Sequence, residues 1–339
     1  MNNEEFKTDI DINQPFQKKA VKNSPFVCRL CGSNHSIVKY TLDKCDFIQC
    51  KSCKLMVIDP IPSIGDIKSV YDEHYFSNPE MIRQDVQGIY GYSDYVGERI
   101  NKQYAYKNIC QKIQLYLKDK LNPVRLLDFG CGLGHFLDSA YDFGYLVHGV
   151  EFNEYAINYI RNRYTYKIIS YEDFLKTDEK FDVVTLFDVI EHLQDPFETL
   201  NRLYNLINNK GLLIISTMDS HSFMSRLLGL RLEDFKRIRE HIYFFSKKNL
   251  SDLLTKLGFE ILEVRSQGHT FEMRHLCSRI KNSLPFVGNI LAFILNIFPA
   301  LGNLNIYINP HTKMIIYARK KGSDLFNPAP LLLRILFLT

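Results

Sequence analysis

Leu126-Leu127-Asp128-Phe129-Gly130-Cys131-Gly132-Leu133-Gly134, followed some twenty residues on by Gly149-Val150-Glu151, is the stretch that decides the fold. An apolar run ends in a glycine turn, a helical pattern follows, and a second apolar run ends in a carboxylate. That order places a nucleoside-bearing cofactor at the edge of a parallel sheet. The glycines let backbone approach the ligand without a Cβ in the way. Glu151, at the tip of the second strand, is placed to accept hydrogen bonds from a ribose diol. The spacing separates cofactors. A dinucleotide needs G-x-G-x-x-G, with pyrophosphate on the helix N-terminus. Here the pattern is G-x-G-x-G, with Asp128 two residues ahead of Gly130. A cationic cofactor is repelled by a helix N-terminus and favours a nearby carboxylate.

On those residues the segment resembles motif I of class I S-adenosylmethionine-dependent methyltransferases. The resemblance implies a Rossmann-like α/β fold: a doubly wound sheet whose last strand is antiparallel. It also implies S-adenosylmethionine as cofactor, held by Asp128, Gly130, Gly132, Gly134 and Glu151.

The rest of the chain agrees with that class. Its 339 residues, 46% of them apolar, can bury a large core and hold more than one unit. The 42 basic and 38 acidic side chains leave a net charge of +4, too mild to argue for a polyanionic partner. Met1-Asn2-Asn3-Glu4-Glu5 is polar and acidic where a secretory signal is basic and then apolar, so a cytoplasmic location is expected.

Cys28-x-x-Cys31 and Cys50-x-x-Cys53 form two knuckles at the spacing of a four-thiolate zinc site. Gly32 permits the first turn, and Cys45 is a spare thiol that could replace one ligand. Four protein ligands leave no place for a reactive water, so the expected zinc is structural and closes a small ribbon. A redox pair is the lesser reading. Beyond the ribbon come Pro60-Ile61-Pro62-Ser63 and Tyr71-Asp72-Glu73-His74-Tyr75-Phe76. A ribbon, a proline turn and such a segment ahead of the glycine motif resemble the methyltransferase type 23 group. Residues 80–121 have helical spacing rich in tyrosine, either a connector or a lid.

Strands are expected at 124–129, 145–150, 166–169, 181–187 and 211–217, with helices at 134–143, 154–163 and 196–207. Gly258 to Ile261 and Ile306 to Ala318 supply the last two strands, which the family arranges as an antiparallel hairpin. After the third strand, Glu172 or Asp173 occupies the place where family members set a carboxylate against the adenine amino group. The fourth strand runs into Asp188-Val189-Ile190-Glu191-His192-Leu193-Gln194-Asp195-Pro196, whose start the resemblance places beside the methionine end of the cofactor. Enzymes that methylate base amines resemble one another in an Asn/Asp-Pro-Pro-aromatic motif here. Its absence turns the expectation toward an oxygen, or a carbon, of a small molecule.

Methyl transfer is an in-line displacement, and a hydroxyl acceptor must lose a proton to a base. His192 and His241 are the candidate catalytic residues, the latter in Arg239-Glu240-His241-Ile242-Tyr243-Phe244-Phe245-Ser246, which resembles the family's "EH-x-x-x-F-S" segment. For His192, packing at a helix start is the competing role. Quinone-biosynthesis methyltransferases, similar here, imply a further idea: a divalent ion at Asp188, Glu191 and His192.

The expected organisation is a flexible N-terminus (1–24), a zinc ribbon (25–62), a helical connector or lid (63–122), a methyltransferase domain (123–320) and an apolar tail (321–339). Residues 220–245 and 270–305 are candidate covers for the acceptor site. Phe286 to Leu301 is apolar but too short to span a bilayer, so it reads as a buried or interfacial hairpin that Leu331 to Leu338 could join. The reading is methyl transfer to a small hydroxylated acceptor such as a sugar nucleotide or lipid-linked glycan precursor, with peripheral membrane contact open. A quinone-type O-methyltransferase is an alternative. The other is a nucleic-acid enzyme using Lys39, Lys44, Lys51 and Lys54 of the ribbon, which no basic aromatic stripe supports.

Overall fold

The computed structural model describes residues 26–71, 74–77, 83–85, 88–90, 98–120, 122–283 and 285–322. The N-terminal segment and nearly all of the apolar tail therefore lie outside the described residues, as do Asp72, Glu73, Tyr92 and Tyr95.

The ribbon contributes β1 (Ser36–Leu42), β2 (Cys45–Cys50) and β3 (Met56–Asp59), paired antiparallel in that order. A short hairpin of β4 (Arg83–Asp85) and β5 (Gly88–Tyr90) precedes the helix Glu98–Tyr116. Within the helical spacing read over 80–121, the described residues thus form this hairpin and the helix Glu98–Tyr116. The large sheet is built from β6 (Arg125–Phe129), β7 (Leu146–Glu151), β8 (Lys167–Ser170), β9 (Phe181–Phe187) and β10 (Ile207–Met218). A two-residue strand β11 (Tyr243–Phe244) follows, then the long strands β12 (Phe259–Glu272) and β13 (Asn305–Lys320).

Strand order in the large sheet is β12-β13-β10-β9-β6-β7-β8. The five strands from β6 to β10 run parallel, and β13 enters antiparallel between β10 and β12. This is the expected doubly wound sheet with an antiparallel end. Its order reverses between β6 and β9, where open α/β sheets bind ligands beyond the strands' carboxyl ends.

Local chemistry explains the elements. Six of the seven residues of β9 are buried, as a strand covered on both faces requires. Its one buried carboxylate, Asp182, accepts from the Arg125 N–H at 2.9 Å and the Asn208 amide at 2.8 Å, and pairs with Lys120 at 2.9 Å. The helix Pro196–Leu206 starts on Asp195, whose Oδ1 accepts from the N–H groups of Phe197 and Glu198, with Pro196 at the first turn. Lys112 and Tyr116 fasten the helix Glu98–Tyr116 to Glu263 on β12.

The ribbon does not stand apart. β11 pairs with β3 antiparallel, so the ribbon sheet gains a fourth strand from a point some 180 residues later. Phe47, Met56 and Ile58 of the ribbon share one buried cluster with Phe244, Leu250 and Phe259. Phe235, in the segment named as a candidate cover for the acceptor site, stacks on Phe244 with ring centroids 5.2 Å apart and touches Tyr40 and Phe47.

Phe286 to Leu301, expected as a buried or interfacial hairpin, forms the helix Pro285–Ile297 and most of the 3-10 turn Pro299–Asn303, and the helix Met273–Ser283 precedes it. Among the described residues no helix is long and apolar enough to cross a membrane.

Candidate cofactor cleft and acceptor site

β6 ends in the glycine turn. Gly130 and Gly132 take φ of 78° and 53°, and a Cβ on Gly130 would come within 2.5 Å of Val189 Cγ2. Only glycine fits there. The turn opens onto a cavity of about 730 Å³, lined by Gly130, Gly132, Glu151, Tyr171, Glu172 and Asp188, among others.

Glu151 ends β7 with its carboxylate at the cavity wall, 5% exposed. Oε2 accepts from Gly132 N–H at 2.9 Å; Oε1 accepts from the N–H groups of Phe152 and Asn153 at 2.8 and 3.0 Å. Burial pushes its pKa up, against the pull of these three donors. A carboxylate has about four lone-pair sites, so the side chain is fixed yet retains acceptor capacity.

The other expected cofactor residues divide into two groups. Glu172 and Asp188 line the cavity. Asp173 is turned to the cap of its own short helix, where Ser170 Oγ donates to it at 3.0 Å. Of the two carboxylates named after the third parallel strand, Glu172 lines the cavity and Asp173 does not. Asp128 lies beneath the glycine turn, 3% exposed, accepting from Thr185 Oγ1 at 2.6 Å; burial raises its pKa to about 7. Gly134 starts the helix His135–Asp142 with φ of 81°. Neither is among the cavity's lining residues.

Asp188 sits just past β9 at φ 55° and pairs with Lys313 of β13 at 2.7 Å. Lys313 carried no signal in the sequence. His192 lines the cavity, and its Nδ1 meets the Tyr71 hydroxyl at 2.8 Å. Burial holds its pKa well below the usual histidine value, with His241 and Arg237 adding to the effect. His241 lies behind it, 4% exposed and not on the cavity wall, with ring centroids 4.8 Å apart. Its Nδ1 faces the Asp234 carbonyl at 2.8 Å. A carbonyl only accepts, so Nδ1 carries the proton and Nε2 keeps its lone pair. Burial and Arg237 bring its pKa down to about 3.

Glu191, buried beside them, has its pKa raised to about 8, by burial first and Asp188 second. Ligand atoms of Glu191, His192 and His241 lie within 4.8 Å of one another. These three, rather than Asp188, Glu191 and His192, form the donor cluster, and Glu191 Oε2 has no hydrogen-bond partner among the described residues.

At the ribbon the four thiols of Cys28, Cys31, Cys50 and Cys53 lie within 4.8 Å of one another. Cys28 Sγ is 3.4 Å from Cys53 Sγ, and Cys31 Sγ is 3.5 Å from Cys50 Sγ. The hydrogen bond from Cys53 lowers the Cys28 thiol to about 5, and the Cys53 thiol is raised in turn. Each knuckle turns on a left-handed residue just after its second cysteine, Gly32 at φ 73° and Lys54 at φ 63°. Cys45 lies on β2 outside the group. Four thiols at this spacing fit tetrahedral zinc.

Residues 100–264 match the methyltransferase domain family known as type 23, so the chain carries a class I methyltransferase domain. A curated relative from Glaesserella parasuis serovar 5, ubiquinone biosynthesis O-methyltransferase, is 34% identical over 131 residues, covering 34% of this chain and 56% of its own. A probable S-adenosylmethionine-dependent methyltransferase of Mycolicibacterium smegmatis is 26% identical over 47% of this chain and 61% of its own. The chain thus spans little more than half the length of these two relatives. Among solved structures, the magnesium protoporphyrin IX methyltransferase of Synechocystis is 16% identical with a TM-score of 0.46, over 75% of this chain and 100% of its own.

Proposed function

We propose that the protein transfers a methyl group from S-adenosylmethionine to a hydroxyl oxygen of a small molecule. The observation that carries this reading is the cavity wall: Glu151 is presented beside the glycine turn in a largely apolar lining whose charged residues are mostly acidic. Glu151, Glu172, Asp188, Asp195 and Glu198 face Lys68 and Arg202. Such a lining suits a sulfonium and opposes the pyrophosphate of a dinucleotide.

In this reading Glu151 takes the ribose diol, Glu172 the adenine edge, and Asp188 favours positive charge at the methionine end. His192, neutral and on the wall, would accept the hydroxyl proton as the oxygen attacks the methyl carbon and the carbon–sulfur bond breaks, S-adenosylhomocysteine leaving as a neutral thioether. Asp188 beside it favours the imidazolium so formed. Tyr71 orients the ring from one side and His241 packs against it. The attacking oxygen, the methyl carbon and the sulfur must be held in line, and that positioning is worth on the order of 7–11 kcal/mol.

Sugar or glycan hydroxyls are one acceptor class. A phenol is the other, favoured by the relatives named for ubiquinone biosynthesis. A divalent ion at Glu191, His192 and His241 would polarise such an oxygen, which the buried carboxylate oxygen lacking a partner supports.

The test is transfer of labelled methyl to a panel of catechols, sugar nucleotides, lipid-linked glycans and RNA. Label in a phenol or sugar sustains the proposal and picks the class. Label in RNA alone overturns the acceptor, and failure to bind S-adenosylmethionine overturns the reading entirely.

A further inference from the structure

The helix Pro285–Ile297 is turned inside out relative to an ordinary surface helix. Phe286 and Phe293 are 78% and 65% exposed, and Val287, Ile290, Ile294 and Ile297 are exposed with them. At 100° per residue these six fall within an arc of about 120°. Asn289 and Asn296 border it, and the protein-facing side holds Gly288, Leu291 and Leu295. Gly288 is buried so tightly that a Cβ there would meet Lys281 Cα at 2.2 Å. Gly288 therefore lets the helix approach Met273–Ser283 closely, while the six apolar residues of the arc face outward. Phe298 and Leu301 continue the apolar surface onto the following turn.

Charge along this segment of the sequence has one sign. From Met273 to Leu304 the chain holds Arg274, Arg279 and Lys281 and no Asp or Glu. A symmetric contact between two copies would set these cations against themselves. An anionic surface would complement them. The helix is 13 residues, about 20 Å, too short to span a bilayer of roughly 30 Å but suited to lying in its interface.

The placement is also informative. Lys313 of β13 stands level with the carboxyl end of β9, where it meets Asp188. From there β12 and β13 stay paired out to Glu272 and Asn305, beyond the parallel strands. The hairpin is thus raised on the side of the sheet where the cofactor cavity lies.

We propose that Phe286, Phe293 and their apolar neighbours dock the protein on an anionic lipid bilayer, with the exposed Arg274 and Lys281 meeting the headgroups. This surface stands independently of the methyltransferase reading. The test is flotation of the full chain with vesicles of phosphatidylcholine alone or with about one third phosphatidylglycerol. The wild type is expected to float with the anionic vesicles at least about fivefold more than with neutral ones, less so in high salt. F286S/F293S should cut flotation about tenfold or more, and K281E about fivefold, each with unchanged circular dichroism and S-adenosylmethionine affinity. Variants that float like the wild type would overturn the proposal and move binding elsewhere, to the apolar tail first. A wild type that ignores vesicles but runs as a dimer that F286S/F293S dissociates would overturn it in favour of a second copy.

Discussion

Ile58 donates its backbone N–H to the carbonyl of Ile242 at 3.0 Å, one residue past His241. On the other side, the Ile242 N–H donates to the Glu191 carbonyl at 2.8 Å. Through these two bonds the ribbon and the histidine cluster share one stretch of backbone. Arg29, next to Cys28, adds a second tie by pairing with Asp195 at 2.7 Å, the residue that caps the helix after His192.

Metal loss should therefore be felt at the site. Analysis of the purified protein is expected to find about one zinc per chain. Cys31→Ser should lower that content and raise amide exchange across 241–245 along with the knuckles. Exchange confined to the knuckles would refute the coupling.

Glu151→Gln keeps the shape of the side chain and removes its charge. Weakening of S-adenosylmethionine binding by about 10- to 100-fold is expected by calorimetry, together with a stability loss of about 1–3 kcal/mol, because the new amide nitrogen must face a backbone N–H. Because burial raises the Glu151 pKa, cofactor affinity in the wild type should fall with acidification earlier than an ordinary glutamate allows. An affinity unaffected by the variant would remove the ribose role.

His192→Ala is expected to retain cofactor binding and lose about 10²–10⁴-fold in kcat. His241→Ala, one layer further back, should retain cofactor binding and also lose turnover. If the pair holds a divalent ion with Glu191, dialysis against a chelator will reproduce that loss, and Glu191→Gln will abolish rescue by added metal. A dialysed enzyme at full rate would leave the base role without a metal.

Asp128 supplies a stability test with a definite sign. Its folded pKa of about 7 lies well above the ordinary aspartate value, so folding favours the protonated form. That stabilisation is complete below the unfolded value and is lost as pH rises through the folded one. Between pH 6.5 and 8 the wild type should lose about 1 kcal/mol more than Asp128→Asn, measured by urea unfolding. Parallel pH profiles for the two proteins would contradict the placement.

What the sequence made legible follows from period and local chemistry. The helix Glu154–Arg163 and the strand Phe181–Phe187 fall where apolar spacing puts them. β10 begins four residues earlier than expected because Asn208, Asn209 and Lys210 are polar, yet Asn208 pairs with a buried Asp182. β12 and β13 run longer than read, since Gln267 to Glu272 lose the apolar alternation while keeping their partners. β11 is two residues long and answers to a strand far upstream, so no local pattern could mark it. The approach of His192 to His241 is tertiary in the same way. Tyr71 was conspicuous in its aromatic segment, but nothing there pointed to His192.

The pairing of β3 with β11 also bears on where this chain can be cut. A fragment beginning after residue 62 would keep the whole glycine cleft and most of the large sheet. It would also strip Tyr243 and Phe244 of their strand partner and uncover the stacked Phe235 and Phe244. A bare apolar edge of that kind recruits other chains. Trimming the cysteine knuckles away to obtain a minimal enzyme should therefore yield aggregate, however complete the remaining catalytic residues.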